Sequence, residues 1–151
     1  MSAQPKSVTA AMIIIGNEAL SGRTQDKNLA FVAQMLGEIG VDMQEARIIP
    51  DVLETVVATV NELRARHDYV FTSGGIGPTH DDITADCIAA AFEVKLEKHP
   101  LAMQALQAHY DAQEADFNEA RQRMARIPEG ASLIENPVST APGVKIDNVY
   151  V

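Results

Sequence analysis

Apolar residues follow two rhythms along the first hundred positions of this chain. Val8 to Ile15 is an apolar run bounded by Gly16, the pattern of a strand buried on both faces. Asp26 to Ile39 carries Leu29, Val32, Ala33 and Leu36 at helical spacing, and Gly40 stops it. Val41 to Ile49 reads as a second strand. Pro50 breaks it, and Asp51, with Glu54 three residues on, opens another helix in the manner of a capping box. Leu53, Val56, Val57, Val60 and Leu63 form the core face of that helix. Tyr69 to Thr72 is the third strand and Ile83 to Phe92 the third helix. Such alternation predicts a parallel sheet covered on both faces. Ligands of such sheets bind beyond the carboxyl ends of the strands.

The rhythm changes after His99-Pro100. Pro100 suits the first position of a helix, and Leu101 to Ala125 is mostly helical, with polar interruptions near Gln113 to Asp116. Met103, Leu106, Tyr110, Phe117 and Met124 read as core or interface contacts. Ser132 to Val151 turns extended, broken at Asn136-Pro137 and Pro142-Gly143. Val144-Lys145-Ile146 and Val149-Tyr150-Val151 flank Asp147-Asn148, which predicts a tight hairpin. The chain stops inside this apparent strand, which suggests a product shortened at its C-terminal end. There is no internal repeat or linker, so residues 1–151 form a single domain.

Composition adds boundaries. At 151 residues the chain can bury a sizeable core. A formal charge of −9 lacks the basic footprint that nonspecific binding to nucleic acid or an anionic membrane needs. The single Cys87 rules out an internal disulfide framework and fits a reducing cytoplasm, with buried packing as its expected role. No run approaches membrane-spanning length. Met1 to Lys6 lacks a signal-peptide core and reads as a frayed lead-in.

The candidate chemistry gathers at the three strand ends. Gly74-Gly75-Ile76-Gly77 follows the third strand, and three glycines in four residues let bare amides approach a ligand. The next helix turns its N-terminal N–H groups to the same place, which favours an anion such as phosphate. Spacing alone leaves a structural turn and a ligand cradle equally open. Asp81, Asp82 and Thr84 tip the reading toward a site, since a helix cap needs only one such residue. Carboxylates repel bare phosphate, and a divalent metal between them removes the conflict. Asp82 is the candidate metal or catalytic residue. Thr84 is either the cap or a phosphate contact, and Ser73 is placed to orient oxygens. Asp51 is an N-cap on local sequence, but its address on the same sheet edge makes it a second metal candidate. In the long first loop, Glu18 is a candidate for metal or substrate, Arg23 for phosphate and Asp26 for a helix cap. His80 reads as solvated. No Ser-His-Asp set or zinc spacing is present.

At these residues the chain resembles the molybdopterin-binding domain family of molybdenum-cofactor biosynthesis. The likeness rests on Gly16-Asn17-Glu18-Ala19-Leu20-Ser21-Gly22 with Asn28, on Asp51, on Thr72-Ser73-Gly74-Gly75-Ile76-Gly77-Pro78-Thr79-His80-Asp81-Asp82-Ile83-Thr84, and on Thr140-Ala141-Pro142-Gly143. Within the family it is most similar to the branch formed by the N-terminal domains of the competence/damage-inducible A proteins. The resemblance implies a three-layer α/β/α sandwich with a mostly parallel sheet, found in homo-oligomers, with a trimer among the expected forms. It implies Mg²⁺ or a similar ion at Asp51 and Asp82, and molybdopterin or an adenine nucleotide as ligand. Phosphate would lie on Ser73, Gly74, Gly75, Ile76, Gly77 and Thr84, with Glu18 nearby, and Pro142-Gly143 would shape the pterin or base end. In the cofactor enzymes those acidic positions support adenylyl transfer to molybdopterin. In the competence branch the implied reaction is hydrolysis of a nucleotide pyrophosphate such as ADP-ribose. Asp81 stands where the cofactor enzymes tend to carry a basic residue, which points to the competence branch. A domain that holds such a ligand without turning it over is the remaining alternative.

Overall fold

The computed structural model describes residues 5–138 and 140–151; the lead-in Met1 to Gln4 lies outside them. Element order is β1 (Val8–Ile15), α1 (Asn17–Leu20), α2 (Asn28–Glu38), β2 (Val41–Ile49), α3 (Leu53–Arg66), β3 (Tyr69–Ser73), α4 (Thr84–Ala91), β4 (Leu96–Lys98), α5 (Pro100–Ala112), α6 (Glu119–Gln122), β5 (Arg126–Pro128), β6 (Ser132–Ile134), β7 (Gly143–Ile146) and β8 (Val149–Tyr150). Six strands make the main sheet in the order β2-β1-β3-β8-β7-β6. The pairs β1–β2, β1–β3 and β3–β8 are parallel, and β7 pairs antiparallel with both β8 and β6. The sheet is therefore mostly parallel, with the expected hairpin attached through β8.

Position in the sheet explains the composition of each strand. β1 lies between two parallel neighbours and is buried along almost its whole length, so it must be apolar on both faces. β2 is an edge strand and alternates, burying Val41 and Ile49 and exposing Asp42, Gln44 and Ile48. Ala11, Ile13 and Ile15 pack with Val56, Val60 and Leu63 of α3 and with Cys87, Ile88 and Ala91 of α4. On the same face a second core joins Ala102 and Leu106 of α5 to Phe117, Ile127 and Val144. The opposite face carries Ala10, Leu36 and Val41, packed with Val32, Tyr69 and Phe71. Among the described residues one long helix, α2, packs on this face, mainly against β2. The layers are thus unequal.

Three expectations need correcting. Asp51 does not cap α3, whose N-cap is Val52 with no side-chain bond; the Asp51 carboxylate turns away to the first loop. Leu53 is exposed instead of core, because the helix starts two residues later than its polar signal. A small antiparallel sheet, β4 with β5, flanks the region read as helical, pairing the residues just before His99 with those just after Ala125, and it was not expected. Three-residue strands carry too little alternation to be read from sequence. The hairpin is held from outside: Asn148 Nδ2 donates to the carbonyls of Arg64 and His67 at the end of α3. Pro100 sits at the first turn of α5, as its missing N–H favours.

An ion network fastens α3 to the edge strand. Glu45 lies 3.1 Å from Nε2 of the buried His67, 2.8 Å from Arg47 and 2.9 Å from Arg66, and Glu62 bonds both arginines. The hydrogen bond to His67, followed by that from Arg47, lowers the Glu45 carboxyl from 4.5 to about 2. A depressed carboxyl stabilises the fold fully above its unfolded value and loses that contribution as the pH falls toward its folded value. Urea midpoints of wild type and Glu45→Gln should therefore differ most above about pH 5 and converge as the pH approaches about 2. A gap that persists unchanged into acid would show that Glu45 acts there through packing.

Candidate functional site

The glycine loop leaves the end of β3 with its backbone in the left-handed region, φ 96° at Gly74 and 67° at Gly75. Its close packing forbids side chains. A Cβ on Gly74 would stand 2.0 Å from the Ile15 carbonyl oxygen, and one on Gly75 would stand 2.2 Å from Thr84 Oγ1. Thr84 explains the shape. It is fully buried, its hydroxyl donates to Gly74 O at 2.8 Å, and its amide donates to Gly75 O at 3.0 Å. With both carbonyls drawn inward, the amides of Gly74, Gly75, Ile76 and Gly77 meet no acceptor among the described residues. The N–H groups of Gly75 and Ile76 point away from those carbonyls, and with the acceptor-free amides of Gly74 and Gly77 they make a candidate anion site. Thr84 is thus placed beneath the loop as its clamp, not on its surface as a phosphate contact or a cap.

Asp82 braces the far end of the loop. Its Oδ2 accepts from the Thr79 amide at 2.9 Å and the Thr79 hydroxyl at 2.7 Å, while its Oδ1 has no partner among the described residues. A Cβ on Gly77 would crowd Oδ2 at 2.6 Å, so this glycine makes room for the carboxylate. Gly75, Ile76, Gly77, Asp82 and Pro142 border one cleft of about 50 Å³, room for little more than a water. Arg123 and Arg126 enter the same cleft, with Arg123 Nη2 donating to the Asp82 carbonyl at 3.4 Å and Arg126 pairing with Asp86 at 2.9 Å. Both Nε atoms are buried without a partner. Sequence reasoning missed this pair; the basic cluster Arg121, Arg123, Arg126 in an acidic chain was the available signal.

The first loop builds the other side. Ser73, Gly74, Glu18 and Asn28 border a recess of about 240 Å³. Asn28 Nδ2 donates to Ser73 Oγ at 2.7 Å, and the Glu18 carboxylate lies over Gly16, where a Cβ would meet Oε1 at 2.5 Å. Asp51 Oδ2 accepts from the Asn17 amide at 3.2 Å, and Asp51 borders neither recess. Asp26 caps α2 as expected, accepting from the amides of Asn28 and Leu29. Arg23 bonds Ser21, and His80 pairs with Asp81 in solvent. Gly143 packs against Ile134 and the Val151 carbonyl inside the sheet, so of the Pro142-Gly143 pair it is Pro142 that reaches a cleft. Cys87 is buried, and burial pushes its thiol up to about 12, which leaves it inert.

Among the described residues no three His, Cys, Asp or Glu side chains gather as a metal cage. Asp82 and Asp51 each keep one carboxylate oxygen unbonded. Oxygen donors of this kind suit a Mg²⁺ that completes its shell from substrate phosphate and water, but no bond or shared recess joins Asp51 to Asp82 among the described residues.

A family profile described as "probable molybdopterin binding domain" matches residues 11–150. The chain belongs to the molybdopterin-binding domain family. Among sequence relatives of this molybdopterin-binding domain, a CinA-like protein of Sulfurihydrogenibium sp. is 40% identical over 134 residues, covering 89% of this chain and 34% of that protein. Protein TK1472 of Thermococcus kodakarensis is 37% identical over 147 residues, 92% of this chain and 59% of that protein. The chain spans roughly half or less of most of these relatives: 54% and 52% of two archaeal proteins, from Caldivirga maquilingensis and Aeropyrum pernix. The solved CinA protein of Thermoplasma acidophilum, described as of unknown function, superimposes with a TM-score of 0.86 at 32% identity, covering 95% of this chain and 86% of that one. The tungsten cofactor synthesizing protein MoaB of Pyrococcus furiosus shares the fold, with a TM-score of 0.55 at 19% identity over 97% of this chain and 82% of that one. No helix among the described residues is long and apolar enough to cross a membrane.

Thr84→Val keeps the volume and removes the donor, leaving the Gly74 carbonyl unpaired in the interior. That costs about 1–3 kcal/mol, a fall of roughly 3–10 °C in the thermal midpoint, whereas Thr84→Ser should stay near wild type. Scanning calorimetry on the three proteins checks it, and a Val variant as stable as wild type would remove the clamp from the account.

Proposed function

We propose that this domain binds a nucleotide pyrophosphate on the glycine loop and hydrolyses it with Mg²⁺, ADP-ribose being the substrate type. The observation that carries this reading is the row of four acceptor-free amides, Gly74 to Gly77, beside a carboxylate with an unused oxygen. Ser73 and the loop amides would hold one phosphate and orient the bridging oxygen. Asp82 and Asp51 would hold the ion, which when bound neutralises phosphate charge and lowers the pKa of a water. Water oxygen bonds to one phosphorus, the bond from that phosphorus to the bridging oxygen breaks, and the second phosphate departs. ADP-ribose would yield AMP and ribose 5-phosphate. Arg123 and Arg126 offer two positive charges at the loop's far side, where negative charge accumulates. Asp81, paired with His80 in solvent, supports this branch over adenylyl transfer to molybdopterin, because no cation stands at that position.

The domain incubated with ADP-ribose and Mg²⁺ should release AMP, and Asp82→Asn should slow that release by at least about tenfold, the usual effect of disturbing a metal site. Arg123→Gln should slow it without altering the Mg²⁺ dependence. Release by Asp82→Asn at the wild-type rate would remove Asp82 from the metal, and tight binding with no AMP formed would leave a binding module.

A further inference from the structure

The first loop walls one side of the glycine loop and carries more polar groups than its own bonds use. Its recess of about 240 Å³ lies between the end of β1, the start of α2 and the end of β3, with Ser73 and Gly74 at the rim. Among the described residues none from β7 or β8 borders it. Asp51 fixes the start of the loop by accepting from the Asn17 amide at 3.2 Å, and the Thr24 amide donates to the Glu18 carbonyl at 3.2 Å. Between these anchors Glu18 folds its carboxylate back over Gly16. A Cβ on Gly16 would stand 2.5 Å from Oε1 and 2.9 Å from Oε2. The Gly16 backbone is extended, at φ 161° and ψ 130°, so the carboxylate uses the room this glycine leaves and not its conformation. Glu18's carboxylate has no hydrogen-bond or ion-pair partner among the described residues, and neither do the side chains of Thr24, Gln25 and Lys27 around the same recess. Asn28 spends its amide group on Ser73 Oγ, and its Oδ1 accepts nothing among the described residues.

We propose that this recess takes a sugar and that Glu18 determines the specificity: two neighbouring hydroxyls of a sugar on the second phosphate donate to the Glu18 carboxylate. The proposal rests on the pyrophosphate reading of the loop and adds what group the far phosphate bears. A carboxylate only accepts, and it repels phosphate, so the recess does not extend the anion site. No aromatic side chain borders it among the described residues, which leaves a flat ring nothing to stack on. Its polar groups are of both kinds, acceptors on Glu18 and Asn28 and donors on Gln25 and Lys27. A polyol uses both, because each hydroxyl donates and accepts. The volume of about 240 Å³ lies below the roughly 300–1,000 Å³ that holds a whole drug-sized ligand, so it suits one sugar and not a second nucleoside. The substrate class is thus the nucleoside diphosphate sugars, read from the sugar end.

Two non-hydrolysable probes of equal charge separate the sugar from the phosphates. One is α,β-methylene ADP-ribose, and the other is α,β-methylene ADP carrying a methyl ester on its β-phosphate. Each is titrated calorimetrically with Mg²⁺. Wild type should bind the ribose-bearing probe about tenfold or more tightly than the methyl ester, as hydrogen bonds to a charged group allow. Glu18→Gln should bring that ratio close to one. Gly16→Ala should do the same, because its added methyl must displace the carboxylate, while its thermal midpoint stays near wild type. A ratio near one in wild type overturns the sugar subsite and leaves the loop reading intact. The full wild-type ratio in either variant overturns it as well. So does equal weakening of both probes by Glu18→Gln, since Glu18 would then serve the metal or the phosphates. Failure of the methyl ester to bind, with the ribose probe bound in a Glu18-dependent way, overturns the loop reading and keeps the sugar subsite.

Discussion

Thr84 determines which way the glycine loop faces, and the arrangement at the sheet's carboxyl edge depends on that. One buried residue takes the carbonyls of Gly74 and Gly75 with its hydroxyl and its amide. A peptide has two polar ends, so drawing two successive carbonyls inward turns N–H groups outward. The cost is steric: Gly74 must clear the Ile15 carbonyl and Gly75 must clear the Thr84 hydroxyl, which no L-residue with a Cβ can do at these φ values. The loop is therefore held by the end of β1 on one side and the start of α4 on the other. Its amides are in place before any ligand arrives, so an anion pays little ordering entropy on binding.

Charge is distributed to the same end. The chain carries a net −9, yet Arg123 and Arg126 come back to the loop from a segment some forty residues downstream. Their neighbours Asp82 and Asp86 keep them ordered, and the Nε atoms remain buried and unpaired. Unequal layers matter as much. Helices α3, α4 and α5 pack on one face, while among the described residues α2 packs on part of the other, beside the stacked rings of Phe71 and Tyr150. The loop thus sits between a small cleft that Arg123 and Arg126 enter and a larger recess walled in part by Phe71 and Tyr150.

The strands and helices with strong periodicity were readable from the chain. β1 is apolar because it is buried on both faces, and α3 repeats Val56, Val60 and Leu63 because one stripe meets the core. What could not be read depends on contacts distant in sequence. Asp51 has the local signature of a cap, but its carboxylate bonds the Asn17 amide thirty-four residues away. Thr84 looked like a cap or a ligand contact, and only the packing of Gly75 against it shows a clamp. The β4–β5 pair is too short to carry a rhythm. Arg123 and Arg126 reach the site only through the chain reversal after α5. Location at the glycine loop was legible; the two sides of the loop were not.

The central claim is that the amides of Gly74 to Gly77 are a preformed anion site. Amide proton–nitrogen correlation spectra recorded while inorganic pyrophosphate and Mg²⁺ are titrated in test it most directly. The account expects saturable shifts at Gly74, Gly75, Ile76 and Gly77, with Gly22, Gly40 and Gly130 unmoved. Shifts confined to other segments, or none at the loop at saturation of a bound ligand, would contradict it.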